Sequence, residues 1–145
     1  MPSLNEEKNI TNAIKDVLYA FDKLNIEGEI IVVNDGSTDK TQLIVNELIK
    51  SYSNIKIINH NNPQGVGKSY WDGLKSSTYE IITWSPSDSE NNTYEILRYL
   101  DLMKEVDIII GLHQIYLNLL LTPMTLLFMI KKIKKLNFQD IELML

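Results

Sequence analysis

Apolar residues along this chain alternate between two periods. Ile10, Ile14, Val17, Leu18, Phe21 and Leu24 recur at three- and four-residue steps, one stripe of an amphipathic helix. Ile30–Val33 is an unbroken aliphatic run rich in β-branched side chains, the mark of a strand covered on both faces. Ile44, Val45, Leu48, Ile49 and Tyr52 return to the helical period, and Ile55–Ile58 reads as a second strand. A helix is expected from about Gly67 to Ser77 and a third strand over Glu80–Ser85. A further helix is expected over Thr93–Lys104, with Ile96, Leu97, Leu100 and Met103 inward, and a fourth strand over Val106–Leu112. This alternation predicts an α/β fold: a mostly parallel sheet with helices on both faces, joined by right-handed crossovers.

Polar residues punctuate these elements. Ser3 or Asn5 is expected to cap the first helix, because Ser3–Leu4–Asn5–Glu6 has capping-box form and Glu6 and Glu7 suit the positive end of the helix dipole. Asp35–Gly36 breaks the first strand, and Asp39, with Gln42 three residues on, can cap the helix that follows. The Asn34–Asp39 turn therefore lies at the carboxyl end of a buried strand, where open α/β sheets bind ligands.

The last part of the chain departs from the pattern. Ile115–Ile130 is almost wholly apolar and is followed by Lys131–Lys132–Ile133–Lys134–Lys135. The run is shorter than the ~20 residues of a membrane span. It reads as a buried or interfacial helix, with the lysines on a solvated face or, alternatively, against anionic lipid as a peripheral membrane contact. The expected organisation is thus residues 1–112 as the α/β unit and 113–145 as an apolar and basic helical tail.

Composition narrows the chemistry. The chain has 145 residues, a net charge of −5 and no cysteine. That charge leaves no electrostatic footprint for nucleic acid. Disulfides, thiolate metal sites and cysteine nucleophiles are excluded. The two histidines, His60 and His113, stand without matching partners and read as surface or packing residues, so an oxygen-ligated cation such as Mg²⁺ or Mn²⁺ is the metal to consider. The start of the chain lacks the regions of a signal peptide, so a cytoplasmic setting is the expectation.

Three polar loops fall at strand ends. Asn34, Asp35 and Asp39, with Ser37 in the same turn, can hydrogen-bond a nucleotide, although turn and capping chemistry explains the same residues. Gly65–Val66–Gly67–Lys68–Ser69 resembles the end of a P-loop, but position 62 is Asn where that motif needs Gly. Its glycines still let backbone amides approach a diphosphate. Asp88 and Glu90 follow the third strand and can hold Mg²⁺ or Mn²⁺ against such a diphosphate. Trp71 and Trp84 read as core.

Together these loops resemble the glycosyltransferase family 2 pattern, whose members have the GT-A fold. The matching residues are Pro2–Ile10, Ile31–Thr41 and Asn62–Lys68 with Gly73. The resemblance implies that Pro2 and Glu6 or Glu7 line a nucleotide pocket and that Asp35 contacts the base. It also implies that Pro86–Ser87–Asp88 stands where the family's D-x-D motif holds cation and diphosphate, with Glu90 as a second carboxylate. The implied donor is a nucleoside diphosphate sugar. Thr122–Ile130 is similar to the D-P-M-S-G-F-F pattern of dolichyl- and polyprenyl-phosphate sugar transferases, and Asn137–Leu143 to their F-D-x-E-L pattern, which implies a polyprenyl phosphate acceptor.

Against the family pattern the chain reads as incomplete. A buried strand is expected directly ahead of Pro2, beside Ile30–Val33, and Met1 leaves no residues for it. Several tens of residues are also expected between Gly111 and Thr122, so the tail reads as a remnant of the acceptor half. A remnant that at most binds nucleotide, and a P-loop-like nucleotide-binding protein, are the alternatives to a glycosyltransferase.

Overall fold

The structure is a computed structural model. It describes residues 1–89, 92–106, 108–113 and 125–131, the last two segments by backbone course alone. In chain order the elements are β1 (Pro2–Ser3), α1 (Ile10–Leu24), β2 (Ile30–Asn34), α2 (Thr41–Ser51) and β3 (Ile55–Asn59). They continue with α3 (Val66–Ser76), β4 (Ile81–Thr83), α4 (Thr93–Leu97), a 3₁₀ turn (Leu100–Lys104), β5 (Ile108–His113) and β6 (Thr125–Lys131).

β2 is buried along its whole length, as its aliphatic run predicts. Alternation sends Ile30 and Val32 to one face, where they join Ile10, Ile14 and Val17 of α1, Val45 of α2 and Ile55 of β3. On the other face Val33 lies against α3, where a side-chain carbon placed on Gly73 would stand 3.3 Å from it. Helices therefore cover both faces. β1, β2 and β3 pair in parallel in that order, with Pro2 opposite Val33 and Ile30 opposite Ile55.

Four expectations change. First, Met1–Ser3 supply part of the strand that Met1 was expected to leave no room for: Val33 N–H donates to Met1 O at 2.9 Å and Asp35 N–H to Ser3 O at 2.8 Å. Second, neither Ser3 nor Asn5 caps α1. The helix opens at Ile10, after Asn9, whose side chain makes no capping bond. Third, the last two expected strands do not join the parallel sheet of β1, β2 and β3: β4 and β5 both pair antiparallel with β6, in a second sheet of order β4-β6-β5. Fourth, part of the expected apolar helix is a strand. Thr125–Lys131 runs from Thr125 opposite His113 to Ile130 opposite Ile108. A Leu-, Phe- and Ile-rich run has no period that separates a buried strand from a buried helix, and pairing with β5 decides it. The rest of the expected tail lies outside the described residues.

The amino group of Met1 is buried and donates to Ile31 O at 2.9 Å. Burial disfavours its charged form and lowers its pKa from 8.0 to about 5. Between those values the unfolded chain binds a proton that the folded chain resists. Stability from this group is therefore full above pH 8 and is lost as pH falls towards 5. The urea midpoint is expected to rise between pH 5 and pH 8, by ~3 kcal/mol in stability. An Nα-acetylated chain is expected to lose most of that slope.

Candidate functional site

The carboxyl ends of β1, β2 and β3 carry the polar loops, and the loops are stitched to one another. Asn5 N–H donates to Ser37 Oγ at 2.9 Å, and Thr38 N–H to Asn5 Oδ1 at 2.9 Å. Glu6 N–H donates to Thr41 Oγ1 at 2.8 Å, and Glu7 N–H to Asp39 Oδ2 at 3.0 Å. Lys40 N–H in turn donates to Glu7 Oε2 at 3.1 Å, and Asn9 Nδ2 to Glu6 Oε2 at 2.9 Å. Asp39 also accepts from Thr41 N–H at 2.9 Å, but the cap position of α2 is Lys40, whose side chain makes no capping bond, so the cap expected at Asp39 falls one residue short of the helix. The Glu7 carboxylate thus serves the junction between these two loops, while the Glu6 carboxylate bonds within its own loop, to Asn9.

Asp35 joins this junction to the third loop. It is only 4% exposed. Its Oδ1 accepts from Gln64 N–H and its Oδ2 from Gly65 N–H, each at 2.8 Å, and His60 Nδ1 lies 2.6 Å from Oδ1. Burial alone would raise its pKa, but these three donors outweigh burial and hold the carboxyl below its ordinary range. Asn34 Nδ2 donates to Asn59 Oδ1 at 2.9 Å, so the residue beside Asp35 ties β2 to β3.

His60 is the site residue that sequence reading missed. Its ring is buried between two carboxylates, with Nε2 2.9 Å from Asp72 Oδ2 on α3. Asp72 also takes Lys68 Nζ, at 2.6 Å from Oδ1. The Lys68 ammonium, against burial and with help from His60, holds the Asp72 carboxyl below its ordinary range. Two signals were available: His60 stands one residue past a strand, at the carboxyl edge of the sheet, and Asp72 stands four residues after Lys68, on the same helix face.

Gly65, Val66, Gly67 and Lys68 open α3 on the exposed side of this cluster. Side-chain carbons placed on Gly65 or Gly67 would meet nothing within 4 Å, so the backbone there is open to a ligand. Gly36 is the opposite case. It has φ +74°, and a side-chain carbon would stand 2.7 Å from the Asn62 and Pro63 backbone.

The turn after β4 reaches the same edge: Ser87 Oγ donates to Pro2 O at 2.8 Å. Asp88 follows, half-buried. Glu90 lies outside the described residues. Among the described residues no three His, Cys, Asp or Glu side chains cluster as a metal cage. One carboxylate still fits a cation that a diphosphate co-ligates, since Mg²⁺ is commonly held by one or two carboxylates, phosphate oxygens and water. Among the described residues no helix is long and apolar enough to cross a membrane.

Two outcomes follow from this packing. Gly36→Ala is expected to destabilise the fold by ~1–3 kcal/mol, read from a urea midpoint, through left-handed strain and the clash with Pro63. The depressed carboxyl of Asp35 contributes stability above its ordinary pKa of 3.8 that is lost as pH falls through its lower folded value. Asp35→Asn is therefore expected to lower stability at pH 7 and to flatten the loss below about pH 4, measured by urea melts across that range.

Comparison with known proteins agrees with this architecture. The curated relatives include an uncharacterized protein of Methanocaldococcus jannaschii, 30% identical over 112 residues, covering 74% of this chain and 46% of the relative. A dolichyl-phosphate beta-glucosyltransferase of Trichomonas vaginalis is 29% identical over 93 residues, covering 61% of this chain and 28% of the relative. Among solved structures, S. aureus TarS in complex with UDP-GlcNAc superposes with a TM-score of 0.60 at 28% identity, over 74% of this chain and 31% of that one. A mannosyltransferase from Pyrobaculum calidifontis in complex with GDP-Man and Mn²⁺ shares the fold, with a TM-score of 0.62 at 19% identity, over 74% of this chain and 32% of that one. The chain thus spans less than half the length of each of these relatives and solved structures. The sequence matches the family described as glycosyl transferase family 2 over residues 1–141. With a GT-A-like α/β fold and a family match that runs almost from end to end, the chain belongs to glycosyl transferase family 2.

Proposed function

We propose that this chain binds a nucleoside diphosphate sugar at the edge built around Asp35 and serves transfer of the sugar to a polyprenyl phosphate. The observation that carries the reading is the convergence of the Asn5–Glu7, Asp35–Asp39 and His60–Lys68 segments, the first two joined through Ser37 and Asp39 and the last two through the Asp35 carboxylate. Support for a nucleotide donor comes from TarS with UDP-GlcNAc and the mannosyltransferase with GDP-Man. Support for the acceptor comes from the dolichyl-phosphate beta-glucosyltransferase relative.

In this reading Pro2, Glu6, Glu7 and Ser37 shape the nucleoside pocket, and Asp35 presents it with the loop it holds. The amides of Gly67 and Lys68, at the positive end of the α3 dipole, face the diphosphate together with the Lys68 ammonium. Asp88, with Glu90 beside it in sequence, holds the Mg²⁺ or Mn²⁺, which when bound neutralises charge on the diphosphate. The bond from the anomeric carbon to the diphosphate oxygen breaks, and the nucleoside diphosphate leaves with the electron pair. A new bond forms from that carbon to an acceptor oxygen. A phosphate acceptor brings an anionic oxygen, so the step needs no general base, whereas a hydroxyl acceptor would need one. The reading places the reaction on the cytoplasmic side, with the basic run Lys131–Lys135 against anionic lipid. A second reading, nucleotide binding without turnover, is favoured by the chain's spanning only part of its relatives' length.

Calorimetric titration with UDP, GDP and ATP, with and without Mn²⁺, tests both. The expected result is Mn²⁺-dependent binding of UDP or GDP, weakened about tenfold, or ~1.4 kcal/mol, in Asp88→Asn. Binding without sugar turnover supports the second reading. A preference for ATP would favour the P-loop-like reading of Gly65–Ser69. A folded chain that binds none of the three overturns all of these readings.

A further inference from the structure

Lys68 stands in the first turn of α3, but its ammonium is drawn one turn further along the helix, to Asp72. Both Asp72 carboxylate oxygens accept from Nζ, Oδ1 at 2.6 Å. A lysine four residues ahead of an aspartate is the less favourable order for such a pair, because each charge lies towards the wrong end of the helix dipole.

The first turn of α3 has the opposite need. Gly65 stands at its cap position without a capping side-chain bond, and the turn contains no acidic residue. Gly65, Val66, Gly67 and Lys68 are all exposed, and side-chain carbons placed on either glycine would meet nothing within 4 Å. Amides at such a helix start favour an anion. Side chains on a helix leave the backbone tilted towards its N-terminus, so a released Lys68 leans towards the same amides.

The two members of the pair are unequally held. The Lys68 side chain is 48% exposed and that of Asp72 20%. Asp72 Oδ2 also lies 2.9 Å from Nε2 of the buried His60 ring. That ring is fixed in turn by Asp35 at Nδ1, and the His60 backbone N–H donates to Asn34 O at 2.9 Å. The Asp72 carboxylate is therefore anchored to the end of β2 and keeps a polar partner when the ammonium leaves. Lys68, with its charge on a flexible four-carbon stem, is the member that can move.

We propose that Asp72 is the resting partner of Lys68 and a specificity-determining residue of the site: a ligand gains the ammonium only by displacing a carboxylate. The exchange trades one anion for another on the same lysine. A diphosphate brings more anionic oxygens than a monophosphate, so the exchange favours the diphosphate. His60 makes it feasible, because it stays on Asp72 while Lys68 turns to the first turn of α3. This inference rests on the nucleotide reading above and adds what holds Lys68 before the ligand arrives.

The test is calorimetric titration of the full chain with UDP, UMP, GDP and GMP in the presence of Mn²⁺. It compares the wild type, Asp72→Asn, Lys68→Met and the double variant. Asparagine keeps an oxygen for the His60 ring and gives up the charge that holds Lys68. Asp72→Asn is expected to tighten the monophosphate about fivefold, the upper end for a partly exposed ion pair, and the diphosphate by less. In the Lys68→Met background the same substitution is expected to change either affinity by less than about twofold. A pair that only steadied α3 would give equal or weaker binding in Asp72→Asn, and that result overturns the proposal. An equal gain with and without Lys68 also overturns it, since the gain would then report bulk charge. Lys68→Met alone supplies the decision should Asp72→Asn fail to fold: the diphosphate is expected to weaken about fivefold, and unchanged affinity overturns the exchange. Failure of the nucleotide reading looks different, because then no folded variant binds any of the four nucleotides, and both proposals fall together.

Discussion

A buried carboxylate organises this molecule. Asp35 ends the central strand, and at 4% exposure its charge has little water to stabilise it. A desolvated carboxylate must find donors or give up its charge, at a cost of several kcal/mol. Asp35 finds them in the Gln64 and Gly65 amides and in the His60 ring. That need fixes the loop after β3, and with it the start of α3. His60 passes the constraint on to Asp72, and Asp72 to Lys68. Two segments separated by about thirty residues of chain are locked by one side chain, as the backbone bonds from Gln64 and Gly65 back to position 35 show.

β2 gives that carboxylate its platform. Its two faces are closed by different helices, so the strand cannot shift register without moving its aliphatic side chains out of both cores. The same strand ends in two different surfaces. At its carboxyl end the turns diverge and leave amides, hydroxyls and carboxylates around an open edge. At its amino end the short β1 stops beside Ile31, and apolar side chains from β2, α3 and β4 surround the space beyond it. One edge is polar because loops end there. The other is apolar because it continues the interior of the sheet.

Much of the first hundred residues follows from local pattern. The helices at Ile10–Leu24 and Thr41–Ser51 and the strands at Ile30–Asn34 and Ile55–Asn59 fall where apolar period and turn residues put them. The bond from the Thr41 amide to Asp39 is likewise local, since the two residues are two apart in the chain. The loops at the carboxyl edge of the sheet were also within reach, because each follows a recognisable strand and carries Gly or Asp. The start of α1 was not: Asn5 and Ser3, good caps by type, are drawn instead into the Thr38 bond and the β1 ladder.

What the sequence determined by itself is therefore the set of elements whose signal is short-range: two amphipathic helices, a doubly covered strand, and the polar turns that follow the strands. Tertiary structure decided the partners. His60 reads as an isolated histidine until the crossover through α3 brings Asp72 beside it, twelve residues away. Thr125–Lys131 falls largely within a run that reads as a helix until β5 offers it an edge. Asp35 reads as a ligand contact until the loop after β3 folds back onto it. In each case the deciding energy is desolvation, of a charge or of a backbone edge, and it is satisfied only by groups far away in the chain, which no local pattern encodes.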